Sequence, residues 1–189
     1  MTAPATALLV MDLQRNMTAN VTDPEYLPRV ARAIGAARGA EIPVLYVVVG
    51  FRPGHPEVSP DNLAFARLRG QPTFTDADPG AEIHPDVAPR DGELVVAKKR
   101  YSAFAGNDLD MLLRSAGIRH LVLTGISTSG VVLSTLRQAA DLDYRLTVLA
   151  DACFDPDPEV HAVLTGKLFP RQAAVVDAAT WAKDPTGSA

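Results

Sequence analysis

Six short apolar segments recur along the chain, and segments with helical periodicity separate them. Each apolar segment is a continuous run of mostly Val, Leu and Ala rather than an alternation of apolar and polar residues. Such runs are typical of parallel strands that are covered on both faces. The pattern therefore predicts six strands, at residues 6–12, 43–49, 93–97, 120–125, 144–151 and 172–176.

Four of the intervening segments place apolar residues at the i, i+3, i+4 and i+7 spacing of an amphipathic helix. They cover residues 27–37, 109–116, 132–140 and 160–168. Asp23-Pro24 can cap the first of these helices, Asn107 or Asp108 the second, and Asp157-Pro158 the fourth. The alternation of strands and helices predicts a three-layer α/β/α fold, with a six-stranded, mostly parallel sheet of the Rossmann-like type.

Residues 50–92 interrupt this rhythm. The segment carries seven prolines, shows little periodicity and follows directly on the carboxyl end of a predicted strand. We expect residues 1–189 to form a single domain in which this insertion is a lid, a binding loop or a subunit contact. The alternative is a surface excursion without a role.

Composition narrows the class of protein further. The formal net charge is −4, and no Lys/Arg cluster suggests a nucleic-acid surface. The longest apolar runs are far too short to cross a bilayer. The N-terminus has no basic segment of the kind that begins a secretion signal, and Cys153 is the only cysteine. These features predict a cytoplasmic protein that acts on a small molecule rather than on nucleic acid or a membrane.

Candidate chemistry lies at the carboxyl ends of the strands, where ligands bind in open parallel sheets. Asp12 ends the first strand, Lys98 ends the third, and residues 125–131 follow the fourth. A partly buried carboxyl group has a raised pKa unless a cation lies close, and an adjacent lysine makes the two a proton-handling pair. Taken singly, Asp12 reads equally well as a cap for local backbone amides and Lys98 as a solvated lysine.

Four motifs occur in order along this scaffold. They are "LLVMDLQ", "KKRYSAF", "GIST" before a helix, and "DAC" after the next strand. In this order the sequence resembles the isochorismatase-like hydrolases, also called the cysteine hydrolase superfamily. The resemblance implies a six-stranded parallel sheet and a catalytic triad of Asp, Lys and Cys. It places the Asp at Asp12 and the Lys at Lys98, and it places the Cys at Val131, so the nucleophilic thiolate is missing.

Three hypotheses remain open without that thiolate. In the first, Asp12 and Lys98 perform acid–base hydrolysis of a vinyl ether or C–N bond without a covalent intermediate, as the resemblance implies for isochorismate-cleaving members. Those members carry glutamine where this chain has Val49, so the reaction type is expected to transfer better than the substrate. In the second, the protein is an amidase in which a hydroxyl of Ser127, Thr128 or Ser129 replaces the sulfur and Asp12 is its base. In the third, the protein is a catalytically silent binder or scaffold.

The turn after the fourth strand offers a further expectation. The N–H groups of Gly130 and Val131 open a helix, where they can stabilise an oxyanion or a substrate carboxylate. The resemblance implies that the Ile126–Ser127 peptide bond is cis and helps to aim these amides. Ser129 can alternatively act as the helix cap. Residues expected to contact substrate are Gln14, Phe51, Arg52, His55, Phe104, Thr128 and Ser129.

No metal or cofactor is expected. The four histidines are scattered, and none has the spacing of metal ligands. "GISTSG" also lacks the glycine spacing of nucleotide-binding loops. The resemblance implies a homo-oligomer, either a dimer or a tetramer.

Overall fold

A computed structural model describes residues 5–186 as a doubly wound α/β fold. Predictions that involve residues 1–4 and 187–189, including the reading of the extreme N-terminus, lie outside the described residues. Six strands form one sheet in the order β3-β2-β1-β4-β5-β6, and all neighbouring pairs are parallel. The strands are β1 (Thr6–Met11), β2 (Val44–Val49), β3 (Leu94–Lys98), β4 (His120–Ile126), β5 (Arg145–Phe154) and β6 (Ala174–Val176).

All six predicted strands and the fold class are confirmed. The largest difference is at the end of β5, which continues to Phe154 rather than stopping at residue 151. The pairing of β4 with β5 is irregular after Leu123 and resumes where Gly125 pairs with Cys153. The polar residue Asp151 therefore marks an irregularity within the strand, and the sequence pattern mistakes it for the strand's end.

Within residues 5–186, six α-helices lie between or after the strands. They are α1 (Arg15–Thr18), α2 (Tyr26–Gly39), α3 (Leu109–Ser115), α4 (Leu133–Asp141), α5 (Pro158–Val163) and α6 (Ala178–Trp181). Single π-helical turns precede α4 at Thr128–Val132 and follow α5 at Leu164–Leu168. The predicted cap of α5 is confirmed, because the Asp157 side chain accepts hydrogen bonds from the N–H groups of Glu159 and Val160.

Both faces of the sheet are buried, as the continuous apolar runs predict. Leu9 and Met11 of β1 pack on one face together with side chains of α3 and α4. Leu8 and Val10 pack on the opposite face against α2 and α6. Within residues 5–186, no helix combines the length and apolar composition that a membrane crossing needs.

Gly125 allows the ends of β1 and β4 to approach closely. Its φ is +149°, and a Cβ atom at this position would lie 2.4 Å from the carbonyl oxygen of Met11. A side chain therefore cannot be accommodated without separating the two strands. The residues that follow, Asp12 on one strand and the turn after Ile126 on the other, are held side by side.

Residues 50–92 form turns and three short 3₁₀ helices (Ala66–Leu68, Pro79–Ala81 and Pro85–Val87). They pack around a small apolar core of their own, made of Phe51, Val58 and Phe65 with Val49 of β2. The Asp78 side chain also accepts hydrogen bonds from the backbone N–H groups of Phe74 and Gly80. The insertion is thus internally anchored in spite of its lack of periodicity.

Candidate active site

Asp12 is the first residue after β1, and its side chain is almost completely buried. Its backbone has a φ of +60°, a conformation that asparagine and aspartate adopt more readily than most residues. The Asp12 N–H donates to the carbonyl oxygen of Val47 at 2.7 Å, which fixes this residue to the neighbouring strand β2. Only 3% of Asp12 is exposed.

Lys98, the last residue of β3, reaches past β2 to meet Asp12. Its Nζ lies 2.9 Å from Asp12 Oδ2, and Nζ also donates to the carbonyl oxygen of Arg100 at 2.9 Å. Lys98 is only 2% exposed. The second carboxyl oxygen, Asp12 Oδ1, is buried and has no hydrogen-bond partner. The pair therefore leaves one acceptor open, in a place where buried polar atoms are almost always paired.

The environment brings the pKa of Asp12 close to neutrality. Burial raises the pKa from its ordinary value of 3.8 to about 6, although the charge of Lys98 and its hydrogen bond lower it. Desolvation is the larger effect because both side chains are shielded from water. Near neutral pH the carboxyl group therefore exists in both protonation states, which is the condition for acid or base catalysis.

The turn after β4 forms the other side of the site. The Ile126–Ser127 peptide bond is cis. Ser127 caps the π-helical turn: its Oγ accepts from the Gly130 N–H at 3.1 Å, and its carbonyl oxygen accepts from the Gly130 and Val132 N–H groups at 3.2 Å each. The Gly130 amide, predicted as an oxyanion donor, is thus engaged within the turn. The predicted cap Ser129 is wrong, because Ser127 has this role.

A cavity of about 140 Å³ opens beside the Asp12–Lys98 pair. The pair and the turn residues Ile126, Ser127, Gly130 and Val131 all line it. The structure thus brings together the predicted catalytic and turn residues. Its remaining lining is mostly apolar and comes from α1, β2, the insertion and the loop after β3: Met17, Val49, Ala64, Phe65, Arg67, Leu68, Phe74 and Tyr101.

Gln14 does not line the cavity, in contrast to its predicted contact with substrate. Its side chain accepts from the Val49 N–H at 2.8 Å and donates to the Val49 carbonyl oxygen at 2.9 Å. It also donates to the carbonyl oxygen of Ala81 at 2.7 Å. The amide is fully used in joining β2 and the insertion to the segment after β1.

Four further residues predicted to bind substrate lie elsewhere. Phe51 and His55 are buried within the insertion, where their rings are 5.0 Å apart. Phe104 packs in the main core. Arg52 is exposed and forms an ion pair with Glu57. These residues are predicted to bind substrate because they lie close to the end of a strand along the chain. That position brings their backbone near the site but does not direct their side chains into it.

Thr128 and Ser129 face away from the cavity. Thr128 Oγ1 is hydrogen bonded to His161 Nδ1 at 2.8 Å. The Ser129 N–H donates to Asp155 Oδ2 at 2.7 Å, and the Ser129 side chain does not line the cavity. The prediction that these two residues contact substrate is therefore not supported. Thr128 attaches the back of the turn to α5, and Ser129 attaches it to the segment between β5 and α5.

The cavity-lining residues of the insertion were missed by the sequence interpretation. Phe65, Arg67, Leu68 and Phe74 belong to a segment whose prolines and turns show no period from which a buried face could be predicted. Tyr101 had a usable signal, since it lies within the "KKRYSAF" motif beside Phe104. The structure turns Tyr101 toward the cavity and Phe104 into the core.

The thiol of Cys153 lies in a different place. Cys153 is buried in β5, and its Sγ is 3.9 Å from the carbonyl oxygen of Leu123. It borders a separate cavity with Tyr26 and Arg29, not the one beside Asp12. Burial raises the pKa of this thiol to about 12, so it remains protonated near neutral pH. Cys153 therefore supplies no thiolate to the cavity beside Asp12.

Residues 5–186 contain no group of three or more His, Cys, Asp or Glu side chains arranged to hold a metal ion. His55 and His120 are buried, and each is hydrogen bonded to a threonine, through the Thr73 carbonyl oxygen and the Thr6 hydroxyl respectively.

A buried acid–ammonium pair thus lies at the carboxyl edge of a parallel sheet, beside a helix-opening turn, where open α/β folds bind their ligands. Comparison with known families agrees: the isochorismatase domain matches residues 6–180. The chain belongs to the isochorismatase family, and it is a hydrolase.

Individual relatives are similar over most of their length. A ureidoacrylate amidohydrolase of Stutzerimonas stutzeri is 33% identical, over 96% of this chain and 79% of the relative. An isochorismatase family protein of Desulfovibrio vulgaris has a solved structure with a TM-score of 0.85 and 27% identity, covering 96% of this chain and 98% of that one. The N-carbamoylsarcosine amidase of Thermoplasma acidophilum has a TM-score of 0.74 and 27% identity, with 94% and 97% covered.

Proposed function

We propose that the protein hydrolyses a small metabolite by acid–base catalysis at Asp12 and Lys98, with water as the nucleophile and without a thiolate. The observation that carries this proposal is the open oxygen Asp12 Oδ1, buried beside a cavity while Lys98 holds Oδ2. A carboxyl group with a pKa of about 6 can deliver a proton near neutral pH.

The bond that fits this geometry best is a vinyl ether. Protonated Asp12 gives its proton to the terminal carbon of the double bond, and the ether oxygen stabilises the cation that forms. Water adds to the oxygen-bearing carbon, and Asp12, now a carboxylate, takes up the proton that this water loses. The resulting hemiketal collapses to a carbonyl compound and an alcohol. Lys98 stabilises the Asp12 carboxylate between the transfer of its proton to the substrate and the uptake of a proton from water.

A second candidate is hydrolysis of a C–N bond, which the names of the amidohydrolase and amidase relatives favour. In this reaction ionised Asp12 removes a proton from water, the water attacks the carbonyl carbon, and the departing nitrogen receives the proton from Asp12. The two candidates require opposite protonation states of Asp12 at the start. Their pH profiles therefore differ in direction on either side of about pH 6.

The test is turnover of vinyl ethers, N-carbamoyl compounds and simple amides by the wild-type protein and the Asp12→Asn variant. We expect Asp12→Asn to lower kcat about 10²- to 10⁴-fold, because the variant cannot donate or accept the proton. For vinyl ethers kcat should fall as pH rises through about 6, and for C–N bonds it should rise. Circular dichroism of the variant confirms that its fold is intact.

Two variants test whether the reaction needs another nucleophile. Cys153→Ala and Ser127→Ala should both retain turnover, because no covalent intermediate forms. Loss of activity in Ser127→Ala, together with an acylated protein detected by mass spectrometry, would establish a serine nucleophile instead. No turnover of any compound by the wild-type protein, combined with tight binding of a metabolite, would establish a silent binder.

A further inference from the structure

The lining of the active-site cavity includes one exposed cation, Arg67, that no residue within 5–186 neutralises. Asp12 and Lys98 offset each other's charge as a pair. Arg67 also lines the cavity, and its side chain has no hydrogen bond or ion pair within residues 5–186. With Asp12 ionised the lining carries one excess positive charge, and with Asp12 protonated it carries two.

The segment that carries Arg67 is anchored rather than loose. Phe65, two residues before Arg67, is buried. The centre of its ring lies 6.1 Å from that of Phe51 and 5.2 Å from that of Tyr101. Arg69, two residues after Arg67, donates a hydrogen bond from its guanidinium group to the carbonyl oxygen of Val58. Contacts on both sides of the short 3₁₀ helix thus hold the backbone of Arg67 at the cavity.

We infer that Arg67 is a specificity-determining residue that binds a carboxylate of the substrate, so that the substrate is a small organic anion. This inference rests on the proposed function of the Asp12–Lys98 site. A guanidinium group binds a carboxylate through two parallel hydrogen bonds, and it remains charged at all relevant pH values. Because the other lining residues are mostly apolar, Arg67 supplies the principal polar contact away from the reacting bond.

The apolar lining specifies the remainder of the substrate. Phe65, Leu68 and Phe74 line the cavity together with Val131 on the turn. The cavity is small, and this part of its lining is apolar. The substrate is therefore a compact molecule whose uncharged part is largely apolar.

Hydrolysis of matched pairs of compounds tests the inference. One pair is α-ethoxyacrylate and its methyl ester, which represent the vinyl ethers, and the other is N-carbamoylglycine and its amide. We expect the wild-type protein to prefer the acid of the hydrolysed pair in kcat/KM by about ten- to a hundredfold. Arg67→Gln should abolish this preference through KM, with kcat little changed, and Arg67→Lys should retain part of it. Arg32→Gln, which removes an exposed charge on α2, is the matched control and should leave the preference intact.

Binding measurements separate this inference from the proposed function. The saturated analogue α-ethoxypropionate and its methyl ester cannot undergo vinyl ether hydrolysis, so calorimetry reports their affinity whether or not the protein has that activity. We expect the acid to bind at least about tenfold more tightly to the wild-type protein, and equally with the ester to Arg67→Gln. If this preference is found without turnover of any compound, the proposed function fails and the anion site stands. The inference is overturned if the wild-type protein binds acid and ester with equal affinity or binds neither. It is also overturned if Arg67→Gln keeps the preference for the acid unchanged.

Discussion

The two ends of the central sheet each bury a titratable side chain, but they satisfy it differently. At the amino end, His120 of β4 is hydrogen bonded through Nδ1 to the Thr6 hydroxyl at 3.1 Å and through Nε2 to the Thr147 hydroxyl at 2.9 Å. At the carboxyl end, Asp12 uses one oxygen on Lys98 and leaves the other open.

The difference is the one expected between a structural polar group and a group that takes part in the proposed reaction. A neutral imidazole has one donor and one acceptor nitrogen, and two threonine hydroxyls can satisfy both, so nothing remains for a ligand. The open oxygen of Asp12 costs stability, since a buried acceptor without a partner loses the hydrogen bond that water would give. Such an arrangement persists in a fold when a substrate or water uses the open position during the reaction.

The largest expected effect comes from removing the partner of Asp12. Lys98→Met leaves the carboxylate buried without a counter-charge, and this should cost about 3–5 kcal/mol of unfolding free energy at pH 8. The loss should be smaller at pH 5, where protonated Asp12 carries no charge. Urea denaturation at both pH values measures it. The double variant Asp12→Asn/Lys98→Met should recover most of the stability, and Lys167→Met, at an exposed lysine, should change little. A Lys98→Met loss no larger than that of Lys167→Met would contradict the pair's assigned role.

The second expected effect is a pH-dependent stability that Asp12 contributes. Its pKa is raised in the folded protein, from 3.8 to about 6, so its contribution is fully present below about pH 4 and is lost as pH rises through about 6. The size is about 3 kcal/mol, from about two pKa units. The difference in unfolding free energy between wild type and Asp12→Asn, followed from pH 4 to 7, measures this contribution. A difference that is constant across this range would show that the pKa of Asp12 is not raised.

The third expected effect is similar in size, has the opposite sign and arises at the other end of the sheet. Burial, with a lesser effect of Arg145, lowers the pKa of His120 from 6.5 to about 4. Its contribution to stability is therefore present above about pH 6.5 and is lost as pH falls through about 4. We expect about 3 kcal/mol between these limits, from about two and a half pKa units, measured as the difference between wild type and His120→Gln. In contrast to Asp12→Asn, turnover by His120→Gln should equal that of the wild type. Reduced turnover at full occupancy by substrate would argue against a purely structural histidine.

Sequence reasoning succeeds here wherever a residue's role follows from its place at a strand end. Continuous apolar runs define all six strands, and the carboxyl-end rule brings Asp12, Lys98 and the turn to one cavity. It fails where direction matters. Gln14 lies two residues from Asp12, yet its side chain bonds to backbone, because a change of direction after the strand is not encoded in spacing.

The insertion shows a second limit. Arg67 and Phe74 reach the cavity only because turns, prolines and local side-chain caps such as Asp78 fold residues 50–92 back over the sheet's edge. None of these interactions has a period that a sequence pattern can reveal. The catalytic pair is therefore predictable from the sequence, while the walls that select the substrate are not.

The two hydrogen bonds between the Gln14 side chain and the backbone of Val49 have an evolutionary consequence. Because the glutamine amide is hydrogen bonded only to the backbone of residue 49, these bonds do not depend on which side chain this residue carries. That side chain faces the cavity. The side chain at position 49 can therefore change while these backbone hydrogen bonds are kept. Single substitutions at this position can thus alter the cavity wall and the substrate preference.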